Sequence, residues 1–223
     1  MLGESNSFEM RRTCMADKPL PIYPAEAYRR DDPGDDRVFY AQPRKLVHID
    51  DAAIAAVGQL YGELLPKEGR LLDLMSSWRS HLPPGFEQTD VLGLGMNAPE
   101  MADNPQLREY EVHDLNRDPQ LPFEDAAFGG AMCTVSIQYL THPVEVFAEV
   151  HRVLQPGSPF VLTFSSRCFP TKAVALWLSS TSREHMEIVK SYFTASANWK
   201  NVKAEIRLPD DKSDPLYAVW GYA

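Results

Sequence analysis

Apolar residues recur along the chain in two alternating rhythms. Short, nearly continuous apolar runs stand at Arg70-Leu71-Leu72-Asp73-Leu74, Asp90-Val91-Leu92-Gly93-Leu94, Gly130-Ala131-Met132-Cys133-Thr134-Val135-Ser136 and Pro159-Phe160-Val161-Leu162-Thr163-Phe164. Such runs predict strands covered on both faces of a parallel sheet. Glu109-Tyr110-Glu111-Val112 reads as a weaker strand. Between these runs the apolar positions repeat at helical spacing. Ile54, Val57, Tyr61, Leu64 and Leu65 share one face of a helix that Asp50 or Asp51 caps and that ends before Pro66. Asn97 caps a short helix with Pro99 and Glu100 in its first turn. Val146, Phe147, Val150, Val153 and Leu154 share the inward face of another, with Thr141 as its expected cap and Pro156-Gly157 as its stop. Helices are predicted over residues 171–178 and 182–195, the second opened by the capping box Thr181-x-x-Glu184. Residues 202–208 and 216–222 close the chain as strands, and the short polar link between them predicts antiparallel pairing.

Strand and helix alternating in this way define an α/β fold: a doubly wound, seven-stranded, mostly parallel Rossmann-like sheet with an antiparallel terminal strand. In such sheets ligands sit beyond the carboxyl ends of the strands, which directs attention to the residues after Leu74, Leu94, Val112, Ser136 and Phe164. Residues 1–37 show no period and carry Pro19, Pro21, Pro24 and Asp31-Asp32-Pro33-Gly34-Asp35-Asp36. They read as a flexible N-terminal arm or lid ahead of one domain over residues 38–223.

Composition narrows the function classes. Of 223 residues, 44% are hydrophobic and 24% charged, as in ordinary soluble domains. A formal charge of -9 argues against a nucleic-acid partner, which needs clustered Lys and Arg, and is compatible with a small neutral or cationic substrate. No run of eighteen apolar residues exists, so no membrane span is expected. Cys14, Cys133 and Cys168 are too scattered for a disulfide framework or a metal site, and read as reduced thiols. Arg11-Arg12 has no apolar run behind it, and Glu4, Glu9 and Asp17 disfavour a transit peptide, so a cytoplasmic location is expected. Nothing in the sequence indicates an oligomeric state.

Three stretches in order carry a family resemblance. Leu121-Pro122-Phe123-Glu124-Asp125-Ala126-Ala127-Phe128 resembles an LPF-x-D-x-x-F segment that stands before a strand. Arg152-Val153-Leu154-Gln155-Pro156-Gly157 resembles an R-V-L-x-P-G link, and Val91-x-Gly93 followed by Pro99-Glu100-Met101 resembles a second cofactor motif. Over residues 71–164 the chain thus resembles class I S-adenosylmethionine-dependent methyltransferases of the small-molecule, type 11-like group. The resemblance implies S-adenosyl-L-methionine as cofactor, S-adenosyl-L-homocysteine as product and a small-molecule methyl acceptor. It places cofactor contacts at Asp73, Met75, Ser76 and Ser77 after the first strand, and at Gly95, Met96 and Asn97 after the second. Asp114 and Leu115 follow the third strand, with Asp114 matching the position that holds the adenine amino group, and Thr134 and Val135 end the fourth.

Two departures stand out. The family's glycine-rich turn, where the lack of Cβ lets the main chain approach the methionine, is replaced by Met75-Ser76-Ser77-Trp78-Arg79. Gly95 stands where a carboxylate usually accepts from the ribose hydroxyls, leaving Asn97 and Glu100 as candidates for that role. Gly129 likewise stands where the family often has Asp.

The substrate side is expected to comprise Tyr40, Arg44, Trp78, Gln138, Tyr139, Arg167 and Phe169. Arg44 is suited to pair with the methionine carboxylate if the arm folds over that end. The plainer alternatives are an arm packed on the sheet edge, Trp78 as a core or lid aromatic, and Ser76 and Ser77 as ordinary loop hydroxyls. No catalytic residue is assigned. His48, His81 and His113 lie near the expected site and titrate in the range a general base needs, whereas His142, His151 and His185 read as structural. Cys168 has no paired base to make it a nucleophile. A second reading keeps the fold and drops the chemistry: a methyltransferase-like binding or regulatory protein without cofactor. A third takes Gly93-x-Gly95-x-x-Ala98 as a dinucleotide fingerprint with Asp114 about twenty residues on, but its first glycine falls inside a strand.

Overall fold

A computed structural model describes residues 22–211 and 213–223. Cys14, Arg11-Arg12 and the arm's first two prolines, Pro19 and Pro21, lie outside the described residues. The sheet has seven strands: β1 (Arg70–Leu74), β2 (Asp90–Gly95), β3 (Glu109–Val112), β4 (Gly130–Thr134), β5 (Pro159–Phe164), β6 (Lys200–Leu208) and β7 (Leu216–Tyr222). Their order is β3-β2-β1-β4-β5-β7-β6. β1 through β5 are parallel, β7 runs antiparallel to β5, and β6 antiparallel to β7. The chain therefore winds outward from β1 to one edge, returns to β4 and winds outward to the other. The paired strands β1 and β4 mark the switch point, beyond whose carboxyl ends such sheets open a crevice.

The central strands are apolar throughout because both faces are covered. Helix α2 (Asp51–Leu64) lays Val57, Leu60 and Tyr61 against Leu71, Val91, Met132 and Val161. On the other face α4 (Pro143–Val153) and α6 (Ser182–Ser196) pack Val146, Phe147, Val150, Ile188 and Phe193 against Leu72, Leu74, Phe160 and Leu162. Asp50 caps α2, accepting from Ala53 N at 2.9 Å, and Asn97 caps α3 (Ala98–Ala102), accepting from Glu100 N at 2.9 Å. The capping box of Thr181 and Glu184 opens α6.

Three expectations are corrected. Thr141 does not cap α4, which starts at Pro143; a proline at the first helical position brings a preset φ and no N–H to satisfy, and the Thr141 hydroxyl donates instead to Asn116 Oδ1 at 3.0 Å. β4 stops at Thr134 because Val135 turns into the left-handed region, φ 46°. The helix expected over residues 171–178 shrinks to α5 (Ala175–Leu178), since Lys172 N and Ala173 N both donate to Phe169 O and Val174 N reaches across to Gln138 O.

The expected boundary at residue 37 falls inside a short helix, α1 (Asp36–Phe39). Ahead of it Arg30 grips Asp36 with contacts of 2.7 and 3.0 Å. Lys172, 1% exposed, places Nζ 3.0 Å from Asp36 Oδ1 and 3.0 Å from Asp32 Oδ2. Charges removed from water are tolerable only when so paired. They pin this part of the arm to the segment after β5. Among the described residues no helix is long and apolar enough to cross a membrane.

Candidate functional site

A cavity of about 590 Å³ opens beyond the carboxyl ends of β1, β2 and β4, beside the switch point. That is a small-molecule size. Every residue expected at the site lines it except Gln138. Gln138 is buried behind the wall, where its amide donates to Val135 O at 2.9 Å and braces the turn after β4. The cavity also takes in Asp36, Asp50, Asn116 and Asp214, which the sequence did not mark. Three non-glycine residues at positive φ line it: Met75 (58°), His81 (58°) and Val135 (46°). Left-handed backbone costs energy at a β-branched residue, and such strain concentrates at functional sites.

The loop after β1 is built on carboxylates. Asp73 is buried, and its Oδ2 accepts from the hydroxyls of Ser76 and Ser80, each at 2.6 Å. Burial pushes the Asp73 carboxyl up to about 6, against the opposing pull of those two hydroxyls. Asn104 Nδ2 holds the same turn through Ser77 O and Ser80 Oγ, both at 2.9 Å. Ser77 donates its hydroxyl to Glu100 Oε2 at 2.6 Å, and Glu100 Oε1 accepts the backbone N–H of Arg44 at 2.5 Å. The two serine hydroxyls are thus committed to protein carboxylates.

One contact accounts for both departures from the family pattern. Ser76 N donates to Leu94 O at 2.8 Å, so the loop lies on the end of β2. A Cβ added at Gly95 would stand 2.3 Å from Ser76 O and 3.0 Å from Met101 Sδ. One added at Gly93 would stand 2.5 Å from Leu107 Cδ1 and 3.1 Å from Ser76 Oγ. The close approach that requires glycine has moved from the loop to the strand beneath it. A side chain at residue 95 has no room, and Met75 takes up the left-handed turn in the loop. The same contact removes the dinucleotide reading, because the backbone at Gly95 is covered by the Ser76 carbonyl.

Asn97 and Glu100 are occupied as well. Asn97 Oδ1 caps α3 and its Nδ2 donates to Tyr40 O at 2.7 Å, while Glu100 bridges Arg44 N and Ser77 Oγ. Trp78 Nε1 donates to Leu46 O at 3.0 Å. Residues 40–46 are therefore strapped across the cavity from α3 to the β1 loop. The Arg44 guanidinium lies 4.4 Å over the Phe39 ring and 5.5 Å from the Phe169 ring, and that of Arg79 lies 3.9 Å over Trp78. Arg167 pairs with Asp214 at 2.7 Å.

Asp114 stands on the opposite side, with Oδ1 accepting from Asn116 N at 3.0 Å and Oδ2 accepting no hydrogen bond among the described residues. The Thr134 hydroxyl is held from below by Tyr61 Oη at 2.6 Å. His48 and His81 both line the cavity, and burial lowers their titration below the usual histidine range, so both are neutral near pH 7. His185 is structural: its ring stacks on Trp177 at 3.8 Å and its Nε2 meets Trp177 O at 2.8 Å. Burial raises the thiols of Cys133 and Cys168, which makes neither a nucleophile.

Sheet order and cavity position define the fold of the class I methyltransferases. Residues 93–162 match the family described as "Methyltransferase domain". That segment begins inside β2 and ends inside β5, so it omits β1 and its serine loop. Methyltransferase phqN of Penicillium fellutanum is 32% identical over 81 residues, covering 34% of this chain and 25% of that protein. The chain spans a quarter or less of the length of the curated relatives it matches. A chain in the complex between the Haloferax volcanii Trm112 methyltransferase activator and a methyltransferase superposes with TM-score 0.56 at 13% identity, covering 78% of this chain and 91% of that one. Phosphoethanolamine N-methyltransferase 2 of Haemonchus contortus, in complex with S-adenosyl-L-methionine, gives 0.50 at 14% identity, covering 77% of this chain and 52% of that one. The chain thus has the fold of the class I methyltransferases, and its residues 93–162 are similar to a methyltransferase domain.

Proposed function

We propose that the chain transfers the sulfonium methyl of S-adenosylmethionine to a small-molecule acceptor and releases S-adenosylhomocysteine. The observation that carries this reading is the cavity at the β1/β4 switch point, which gathers the strand-end residues that the family resemblance implies. The residues fit the cofactor unevenly. The free Oδ2 of Asp114 suits an adenine amino group, and Met96 and Leu115 offer an apolar bed beside it. At the ribose, Glu100, in the first turn of α3 after the covered Gly95, is the candidate carboxylate, and it would accept through lone pairs left over from Arg44 and Ser77. The cofactor supplies the leaving group along with the methyl, so the protein's work is alignment and exclusion of water. Met75, Thr134 and Val135 bound the reacting end, and the strap over residues 40–46 screens it from solvent. Where the acceptor carries a proton that must leave, the neutral imidazoles of His48 and His81 are the bases within the cavity. We place the reaction in a reducing, cytoplasmic setting, which Cys133 and Cys168, unpaired among the described residues, support.

Calorimetric titration of the full chain with S-adenosylhomocysteine tests the reading. Saturation at about 100 times Kd should stabilise the fold by ~2.7 kcal/mol and raise its melting temperature by roughly 5–10 °C. Absence of binding at millimolar concentrations would sink it. A second reading, a regulatory relative without cofactor, is favoured by the committed hydroxyls of Ser76 and Ser77 and the covered Gly95. The same titration decides between the two.

A further inference from the structure

The charges left unspent in the cavity point to the chemistry of the second ligand. Its carboxylates are almost all engaged by the protein itself. Asp36 is held by Arg30 and Lys172, and Asp73 by Ser76 and Ser80. Glu100 is held by Ser77 and Arg44 N. Asp50 and Asp214 accept each other's backbone N–H, at 3.0 and 2.8 Å, and Asp214 also takes Arg167. Only Asp73 Oδ1 and Asp114 Oδ2 accept no hydrogen bond among the described residues.

The guanidiniums are arranged differently. Neither Arg44 nor Arg79 has a carboxylate within ion-pair distance among the described residues. Each donates a single hydrogen bond to a nearby carbonyl, Arg44 to Phe39 O at 2.8 Å and Arg79 to Trp78 O at 2.7 Å. Each lies over an aromatic ring, at 4.4 Å for Arg44 on Phe39 and 3.9 Å for Arg79 on Trp78, which leaves its remaining N–H groups for a partner. A chain of net charge -9 had every opportunity to pair them. The net charge alone is compatible with a neutral or cationic substrate, but Arg44 and Arg79 are two cavity cations without an ion-pair partner among the described residues.

S-adenosylmethionine carries one carboxylate, so one of the two guanidiniums remains after the cofactor is seated. We propose that the methyl acceptor is an anion, a small molecule bearing a carboxylate or phosphate that Arg44 or Arg79 receives. This rests on the methyl-transfer reading above. Phe39, Phe169 and Tyr139, whose rings cluster beside Arg44 with centroids 5.5 and 6.0 Å apart, favour an aromatic or otherwise flat body behind the charge.

The test uses the full chain saturated with S-adenosylhomocysteine in a buffer of non-coordinating anions. Benzoate, phenylacetate and phenyl phosphate are titrated beside benzamide, phenylacetamide and phenol, with inorganic phosphate as a further arm. Ligand-observed NMR and calorimetry read the affinities in wild type, Arg44→Gln and Arg79→Gln, with Arg44→Lys and Arg79→Lys as charge-retaining controls. The acids should bind at least tenfold more tightly than the neutral partners. At least one Gln variant should lose that advantage by roughly ten- to a hundredfold, the worth of a charge-assisted pair, and its Lys counterpart should recover part of it. Preference for the carboxylates over the phosphates, or the reverse, identifies the anion. Acids bound no better than amides, or acid affinity unchanged in both Gln variants whose melting temperatures match wild type, overturns the proposal. Acid binding that persists when S-adenosylhomocysteine fails to bind overturns the methyl-transfer reading instead.

Discussion

Replacing Gly95 by alanine probes the contact that shapes the cofactor side of the cavity. The added Cβ would stand 2.3 Å from Ser76 O, far inside the 3.0 Å that such contacts essentially never pass, and 3.0 Å from Met101 Sδ. The first of these is a backbone atom and cannot swing aside as a side chain would. The loop must retreat by about an ångström, straining the Ser76 N to Leu94 O bond of 2.8 Å and the two hydroxyl contacts on Asp73. Overpacking of this kind costs ~1–3 kcal/mol, from which ~0.5–1 kcal/mol is recovered because alanine is less flexible than glycine when unfolded. The net loss of ~1–2 kcal/mol should lower the melting temperature by roughly 2–8 °C for a domain of this size. Gly129→Ala is the control: there a Cβ would meet nothing closer than 3.8 Å, so stability should hold or rise slightly. Scanning calorimetry of both variants, with S-adenosylhomocysteine titrations alongside, reads the difference. A Gly95→Ala protein that melts with wild type and binds the ligand equally would show that the loop does not rest on β2. Gly95→Asp, which restores the family's carboxylate in sequence, should melt lower still.

Asp73 titrates near 6 in the fold against 3.8 for a free carboxyl, so the native state holds its proton more tightly than the unfolded chain does. Its contribution is fully present below about pH 4 and is lost as pH rises through about 6, on the order of 3 kcal/mol in all. Asn at this position keeps an acceptor for Ser76 and Ser80, so urea unfolding from pH 4 to 7 should show Asp73→Asn gaining on wild type; a pH-independent difference would refute the assignment. Lys172→Met removes a cation that is 1% exposed and lies 3.0 Å from Asp36, and should cost about 3 kcal/mol at pH 7. Asp36 titrates below the usual range although burial pushes it up, because Arg30, Asn116 and Lys172 together outweigh burial. The Lys172→Met deficit should therefore shrink as pH falls through the carboxylate range, and a deficit unchanged in acid would argue for lost packing alone. Thr181→Ala removes the hydroxyl half of the capping box and should cost ~1 kcal/mol, read as a drop of roughly 2–4 °C in melting temperature.

The sheet was legible because its strands are bounded locally. Pro156-Gly157 stops α4 and releases β5, and Glu109–Val112, Pro159–Phe164 and Leu216–Tyr222 fall where the apolar runs place them. Boundaries failed where a distant partner decided them. Thr141 is a good cap by type, but Asn116 claims its hydroxyl from 25 residues away. The cavity was legible in so far as it follows strand ends. Asp214 was not, because its place at the site is set by distant partners, Asp50 164 residues earlier and Arg167 47 residues earlier. Nor was Asp36, which sits in a proline- and aspartate-rich stretch that reads as loop until Arg30 and Lys172 are seen closing on it.

The same distinction changes how the unusual cofactor loop weighs on function. In the sequence, the missing glycines after β1 and the missing carboxylate at Gly95 stand some twenty positions apart and count as two separate losses, each lowering the expectation of cofactor binding. In the fold they are one event. A loop that drops its Ser76 carbonyl onto the end of β2 demands glycine at residue 95, and supports itself on Asp73 and Glu100 through the two serine hydroxyls. What stands against a bound cofactor is therefore a single rearrangement with a structural cause. What that rearrangement leaves in place is the cavity volume and, among the described residues, an Asp114 oxygen and two guanidiniums without partners, and these are features that a protein retaining only the shell of the fold has no physical need to keep.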